Sequence, residues 1–126
     1  GPAGGGLSGP AIRPVAVRAV HDARAAFPGA GIVGVGGVER GVDAVELLLA
    51  GADAVEVGTA TFRDPRAPAR VLSGLRRWCR WHGVSSVAEL VGAVHSGAAP
   101  PPPATGTAPD GDVAPGPAQV QEPGGP

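Results

Sequence analysis

The sequence contains no lysine, methionine, asparagine or tyrosine, and one cysteine, Cys79, among 126 residues. A single cysteine excludes an internal disulfide and a cysteine-based structural zinc site. All ten cationic side chains are arginine, set against eleven acidic ones, for a formal net charge of −1. That balance gives no electrostatic case for a nucleic-acid partner or an anionic membrane surface. No apolar run approaches the roughly 18–20 residues needed to span a bilayer. No signal peptide is visible. A cytoplasmic location is the expectation. A chain without methionine also reads as an internal piece of a longer product.

What is abundant is glycine and proline, 22 and 15 residues respectively. Such usage points to loops and to a low-complexity segment. From Gly97 to Pro126 half of the residues are proline or glycine, with four consecutive prolines at 100–103. A segment of that kind cannot bury enough apolar surface to offset its ordering entropy. Residues 1–96 are therefore expected to carry the fold, and 97–126 to form a disordered tail.

Within 1–96 the hydrophobic periodicity alternates between two kinds of element. Residues 10–27 read as a helix, with Val15, Ala19, Val20 and Ala23 at helical spacing and Arg18, Asp22 and Arg24 elsewhere. Ile32 to Val35 is a strand without polar alternation, as for a parallel strand covered on both faces. Gly41 to Ala50 is a second helix, stopped by Gly51. Ala54 to Val57 is a second strand. In it Glu56 faces either a barrel interior or a polar contact. A third helix lies within 64–82, and Ser86 with Glu89 forms a capping box that starts a short helix ending near His95. This order is that of a parallel α/β architecture.

Two β-branched runs end in glycine, Ile32-Val33-Gly34-Val35-Gly36-Gly37-Val38 and Val55-Glu56-Val57-Gly58-Thr59. They are separated by one helix. A strand–helix–strand unit sets two such ends side by side. In a (β/α)8 barrel the loops after the last two strands grip a phosphate. Glycine lets a phosphate oxygen reach an amide without a Cβ in the way, and the Thr59 hydroxyl can add a bond. The bland alternative is that these glycines merely permit tight turns. The nucleotide fingerprints do not fit. The first run lacks the last glycine of G-x-G-x-x-G, and no Gly-Lys-Ser/Thr exists. Gly4 to Pro10 is a further glycine loop, in which Ser8 could be a helix cap. Cys79, beside Trp78 and Trp81, reads as a buried structural thiol. His21, His82 and His95 are scattered without metal-ligand spacing. The cluster Arg76, Arg77 and Arg80 reads as a solvated face.

Taken together, the segments resemble the C-terminal part of class 1 dihydroorotate dehydrogenases. The residues that carry the resemblance are Gly5-Gly6-Leu7-Ser8-Gly9-Pro10-Ala11-Ile12-Arg13-Pro14, the run 32–38, Leu49-Ala50-Gly51-Ala52, Val57-Gly58-Thr59-Ala60-Thr61-Phe62 with Asp64-Pro65, and Gly83 to Leu90. The resemblance implies the last two strands and helices of a (β/α)8 barrel that binds FMN. It places Gly9 against the flavin or its ribityl chain, and Gly36, Gly37, Gly58 and Thr59 around the phosphate. It implies oxidation of dihydroorotate to orotate in pyrimidine biosynthesis, with a homodimer or an iron–sulfur flavoprotein subunit as possible partner. The family's upstream base, its lysine near the flavin and its asparagine-rich orotate pocket have no counterparts here. No catalytic residue is therefore expected in this chain, and Cys79 falls on the last barrel helix. Alternatives are another FMN or phosphate-binding barrel, such as a dihydropyrimidine dehydrogenase module, or a non-catalytic remnant. The Leu7 to Ala11 loop argues against a dihydrouridine synthase.

Overall fold

Pro10 and Pro14 sit where a helix start leaves its N–H groups unpaired, so neither loses a bond there. A 3-10 turn over Pro10–Ile12 leads into α1, Arg13–Ala26. A computed structural model describes residues 4–98 and 102–105. β1 (Val33–Val35) follows, then α2 (Gly41–Ala50), β2 (Ala54–Glu56), the short α3 (Ala60–Arg63) and α4 (Ala67–Trp81). Two further 3-10 turns, Val87–Glu89 and Ala93–Ser96, stand where one short helix was expected. Gly92, with φ 69°, separates them. The Ser86 capping box is present: Glu89 accepts from the Ser86 N–H at 2.8 Å. Most of the expected 97–126 tail lies outside the described residues. Within it, the Ala104 N–H donates to the Trp81 carbonyl at 2.8 Å.

β1 and β2 pair in parallel, with Val33 opposite Ala54, Gly34 opposite Val55 and Val35 opposite Glu56. The α2 crossover between them makes a βαβ unit. Paired residues share a face, so the alternation of the pleat separates two sets. Gly34 is buried toward α2, where a Cβ would lie 3.0 Å from that of Ala52 and 3.2 Å from that of Leu47. On the other face Val33 and Val35 are 54% and 53% exposed, and Ala54 and Glu56 are exposed with them. The expectation that β1 is covered on both faces is thus corrected for this chain. α1 and α2 contact the strands, α4 packs on α2, and the face bearing Val33, Val35, Ala54 and Glu56 stays open among the described residues. Glu56, left open by the sequence, belongs to the open face.

α2 is the centre of the fold because it is apolar almost all round. Leu47, with Ala44 and Ala50, meets Val20 of α1, Val38 and Val71 of α4. Leu48 turns the other way to Val84 and Leu90. Leu47 has no exposed surface. Leu47→Ala should therefore lower stability by about 2–5 kcal/mol. Leu72→Ala on α4, half exposed, should change it by less than about 0.5 kcal/mol. Urea unfolding of the two variants tests the contrast, and similar midpoints would refute this placement of the core.

Arg24, grouped by periodicity with the outward residues of α1, is a clamp and only 13% exposed. Its guanidinium donates to the carbonyls of Gly51 (3.0 and 2.8 Å), Pro28 (2.7 Å) and Ala30 (2.9 Å), and to Asp53 (2.7 Å). Asp53 also accepts from the Ile32 N–H at 2.8 Å. The Ile32 bond first, then Arg24, holds the Asp53 carboxyl below its ordinary range. Such a group adds stability above its unfolded pKa, about 3.9, and loses it as pH falls through the folded value. Acid unfolding should start below about pH 4 for this reason. Asp22 and Glu89 are lowered too, so Asp53→Asn should flatten that limb without abolishing it. A circular-dichroism acid titration identical to that of the parent chain would contradict the clamp.

Candidate functional site

The loops leaving β1 and β2 converge with the loop before α1. Gly9, Gly36, Gly37, Gly58 and Thr59, far apart in sequence, line one cleft of about 280 Å3. All five residues singled out from the sequence are thereby brought together. Leu7, Ser8, Ile12, Val35, Val38, Glu39 and Ala60 complete the lining. Leu7, Ser8 and Ile12 lay in the quoted glycine loop, but nothing in their spacing marked them as cleft residues. Ser8 is not a helix cap: Gly9 holds that position, and no side chain caps the turn.

The glycines differ in what demands them. Gly36 and Gly37 have φ of 126° and 73°, conformations that suit glycine. A Cβ on Gly37 would lie 2.7 Å from the Arg13 Cβ and 2.9 Å from the Gly9 carbonyl oxygen. One on Gly36 would lie 3.0 Å from the Ala16 Cβ. At these two positions the fold itself requires glycine, which is the tight-turn alternative. Gly58 is different. Its φ is not positive, and no protein atom lies within 4 Å of a Cβ built there. Neither strain nor packing requires glycine at 58, and Gly58 lines the cleft.

Donors are present there. Among the described residues, none accepts a hydrogen bond from the N–H of Gly37, Gly58 or Thr59. Thr59 precedes α3, but its hydroxyl makes no capping bond. The Gly58 carbonyl is engaged by the Thr61 N–H at 2.9 Å and the Thr61 hydroxyl at 2.6 Å. The rim carboxylate of Glu39 is paired with Arg63 at 2.9 Å. A cleft edged by free amides and a hydroxyl, with its nearest carboxylate neutralised, suits an anion.

The element that fixes this geometry was not anticipated. Asp43 is completely buried. Its carboxylate accepts from the Glu39 N–H (3.0 Å), the Arg40 N–H (2.8 Å) and Arg13 Nη1 (2.6 Å). Arg13 also meets Glu46 at 3.1 Å. The network ties the loop after β1 to the start of α1, and so holds Gly37 against Gly9. Asp43 stands three residues after Arg40, which caps α2, and that spacing is the one local sign of its role. Its partner thirty residues away left none.

Cys79 and the three histidines do not line the cleft. Cys79 packs with the cluster around Leu48 and Leu90. Burial first, then the nearby Glu89 carboxylate, pushes its thiol up, away from the reactive thiolate form. His21 and His95 are not scattered: their rings stack at 4.4 Å. His95 Nε2 lies 2.9 Å from the Ala50 carbonyl oxygen, so that nitrogen carries the proton. His82 stacks on Trp78 at 3.9 Å. Among the described residues, no three His, Cys, Asp or Glu side chains converge as a metal site. No described helix is long and apolar enough to cross a membrane.

A parallel βαβ unit with helices packed on it makes this an α/β protein, with an amide-edged cleft at its strand ends. The chain belongs to the dihydroorotate dehydrogenase family, whose match covers residues 1–78. It is 49% identical over 90 residues to the catalytic subunit of dihydroorotate dehydrogenase B (NAD(+)) of Pelobacter propionicus, covering 71% of this chain and 29% of that protein. The corresponding subunit of Geobacter sulfurreducens is 44% identical over 90 residues, with the same coverage. Among solved structures, the dihydroorotate dehydrogenase of Eimeria tenella in complex with ferulenol superposes with a TM-score of 0.69 at 34% identity. That alignment covers 74% of this chain and 25% of the other. The chain thus spans about three-tenths of the length of the curated relatives it matches. The family is FMN-dependent.

Proposed function

We propose that this chain is the phosphate-gripping portion of a (β/α)8 dihydroorotate dehydrogenase, with residues 1–96 contributing the last two strands and helices of the barrel. In that reading Gly36, Gly37, Gly58 and Thr59 hold the FMN phosphate, and Gly9 lies against the flavin or its ribityl chain. The observation that carries it is Gly58, a glycine that the fold does not require, facing the amide-edged cleft. The open face bearing Val33, Val35, Ala54 and Glu56 becomes the inward side of the barrel, which accounts for its exposed β-branched residues.

Bound FMN would supply the redox chemistry by which dihydroorotate becomes orotate in pyrimidine biosynthesis. This chain's own residues would bind and orient the cofactor. The amides of Gly37, Gly58 and Thr59, with the Thr59 hydroxyl as a fourth donor, would hold its phosphate. The Arg13–Asp43 pair keeps the first loop in place. The B-type relatives are named as catalytic subunits. That name supports a partner subunit, for which we propose an iron–sulfur flavoprotein that passes electrons, with a homodimer as the alternative and a cytoplasmic location for the enzyme.

Half of a cofactor site should bind weakly. The purified 126-residue chain should neither oxidise dihydroorotate nor quench FMN fluorescence at submicromolar concentrations. Submicromolar binding would show that this portion suffices alone and would overturn the division of the site proposed here.

A further inference from the structure

We propose that the outward face of α4 is a docking surface for an acidic segment of this same chain, residues 106–126. Arg66, which precedes α4, and Ala69, Ser73, Arg76 and Arg80 within it stand three or four positions apart, so they form one stripe along the helix. All five are exposed. The acids near this helix are already taken. Glu39 meets Arg63 at 2.9 Å and Asp64 meets Arg70 at 3.0 Å. Glu89 faces Cys79 and is bonded by Ser85 and Ser86. Arg77 is engaged as well and is not counted. No described acid pairs with Arg66, Arg76 or Arg80, so the stripe carries three guanidinium groups without an acidic partner.

The same chain supplies the complement. Arg80 is its last arginine, and residues 106–126 hold Asp110, Asp112 and Glu122 with no cation among them. The chain also delivers that segment to the right place. The Ala104 N–H donates to the carbonyl of Trp81, the last residue of α4, at 2.8 Å. From Ala104 an extended chain reaches about 20 Å to Asp110 and about 26 Å to Asp112. α4 has 15 residues and is about 22 Å long. Both carboxylates therefore come within reach of the stripe, from Arg80 beside the anchor to Arg66 at the far end. A surface ion pair is weak by itself. Tethering offsets this, because the carboxylates are held at a high local concentration beside the arginines. A second copy or a separate acidic protein has no such advantage, which favours the chain's own segment as the occupant.

The test is a heteronuclear NMR comparison of the full chain with a variant carrying Asp110→Asn, Asp112→Asn and Glu122→Gln, read at the arginine Nε–H groups. At about 0.1 M salt, where screening confines a charge to about 10 Å, the signals of Arg66, Arg76 and Arg80 should move at least about threefold more than that of Arg18. Arg18, exposed on α1 and paired with Asp22 at 2.8 Å, reports general charge alone. In about 1 M salt, where the screening length is about 3 Å, the difference should vanish. Conversely, Arg76→Gln with Arg80→Gln should move the backbone amides of Asp110 and Asp112. Circular dichroism checks that each variant keeps the parent's fold. The proposal fails if the acidic substitutions leave the three arginines unmoved, or move Arg18 as much. It also fails if the shifts grow with protein concentration, which would assign the face to a second copy. Arginine signals that ignore the acidic substitutions but move on addition of polyglutamate would assign it to a separate acidic partner instead.

Discussion

Gly41→Ala should destabilise the chain by about 3 kcal/mol or more, at the upper end of what overpacking costs. The added methyl would stand 2.2 Å from the Gly74 carbonyl carbon and the Leu75 nitrogen, and 2.6 Å from the Gly74 Cα. Those atoms are helix backbone and cannot rotate aside as a side chain would. α2 and α4 would have to separate, and α2 carries both apolar clusters. Small domains hold only about 5–15 kcal/mol in total, so much of the folded population is at stake. The urea midpoint should fall sharply, while Gly58→Ala, with open space at its Cβ, should stay within about 0.5 kcal/mol of the parent. A Gly41→Ala midpoint equal to the parent's would show that the two helices do not meet in this way.

Gly58→Val should have the opposite profile: normal folding and impaired cofactor retention. The side chain would enter the cleft beside the unpartnered amides of Gly58 and Thr59. Each hydrogen bond to a charged phosphate contributes about 1.5–3 kcal/mol. Displacing even one predicts a loss of FMN affinity of roughly tenfold to a hundredfold. The measurement belongs in a whole barrel, with residues 4–95 of this chain replacing the matched part of the Pelobacter propionicus subunit. FMN retained as in the unmutated chimaera would remove Gly58 from the phosphate site. Gly37→Ala would be a poor substitute for this test. Its φ of 73° and its contact with Arg13 would disturb the fold first.

The contrast between these glycines shows what was legible in the sequence. The strand–helix–strand order, the extent of α2 and the pairing of the two glycine ends follow from local periodicity and stop signals. So does the convergence of Gly36, Gly37, Gly58 and Thr59, because one crossover helix leaves the strands adjacent. Which glycine serves the backbone and which the cleft needed coordinates, since only packing distinguishes 37 from 58. α3 was missed because four residues without a side-chain cap leave no periodic trace. The Arg24 clamp, the Arg13–Asp43 pair and the His21–His95 stack join residues 29, 30 and 74 positions apart. Hydrophobic patterning carries no information on such pairs. Expecting both faces of β1 to be buried was reasonable for a parallel strand. In this chain the covering elements lie on one side only.

On the proposed reading, this cleft grips a phosphate as part of a flavin site. Comparing FMN with riboflavin in the chimaeric barrel tests it most directly, because the two ligands differ only in that phosphate. FMN should bind at least a hundredfold tighter than riboflavin, and Gly58→Val should lower FMN affinity while leaving that of riboflavin nearly unchanged. Equal affinities for the two ligands, or a variant that weakens both alike, would contradict it.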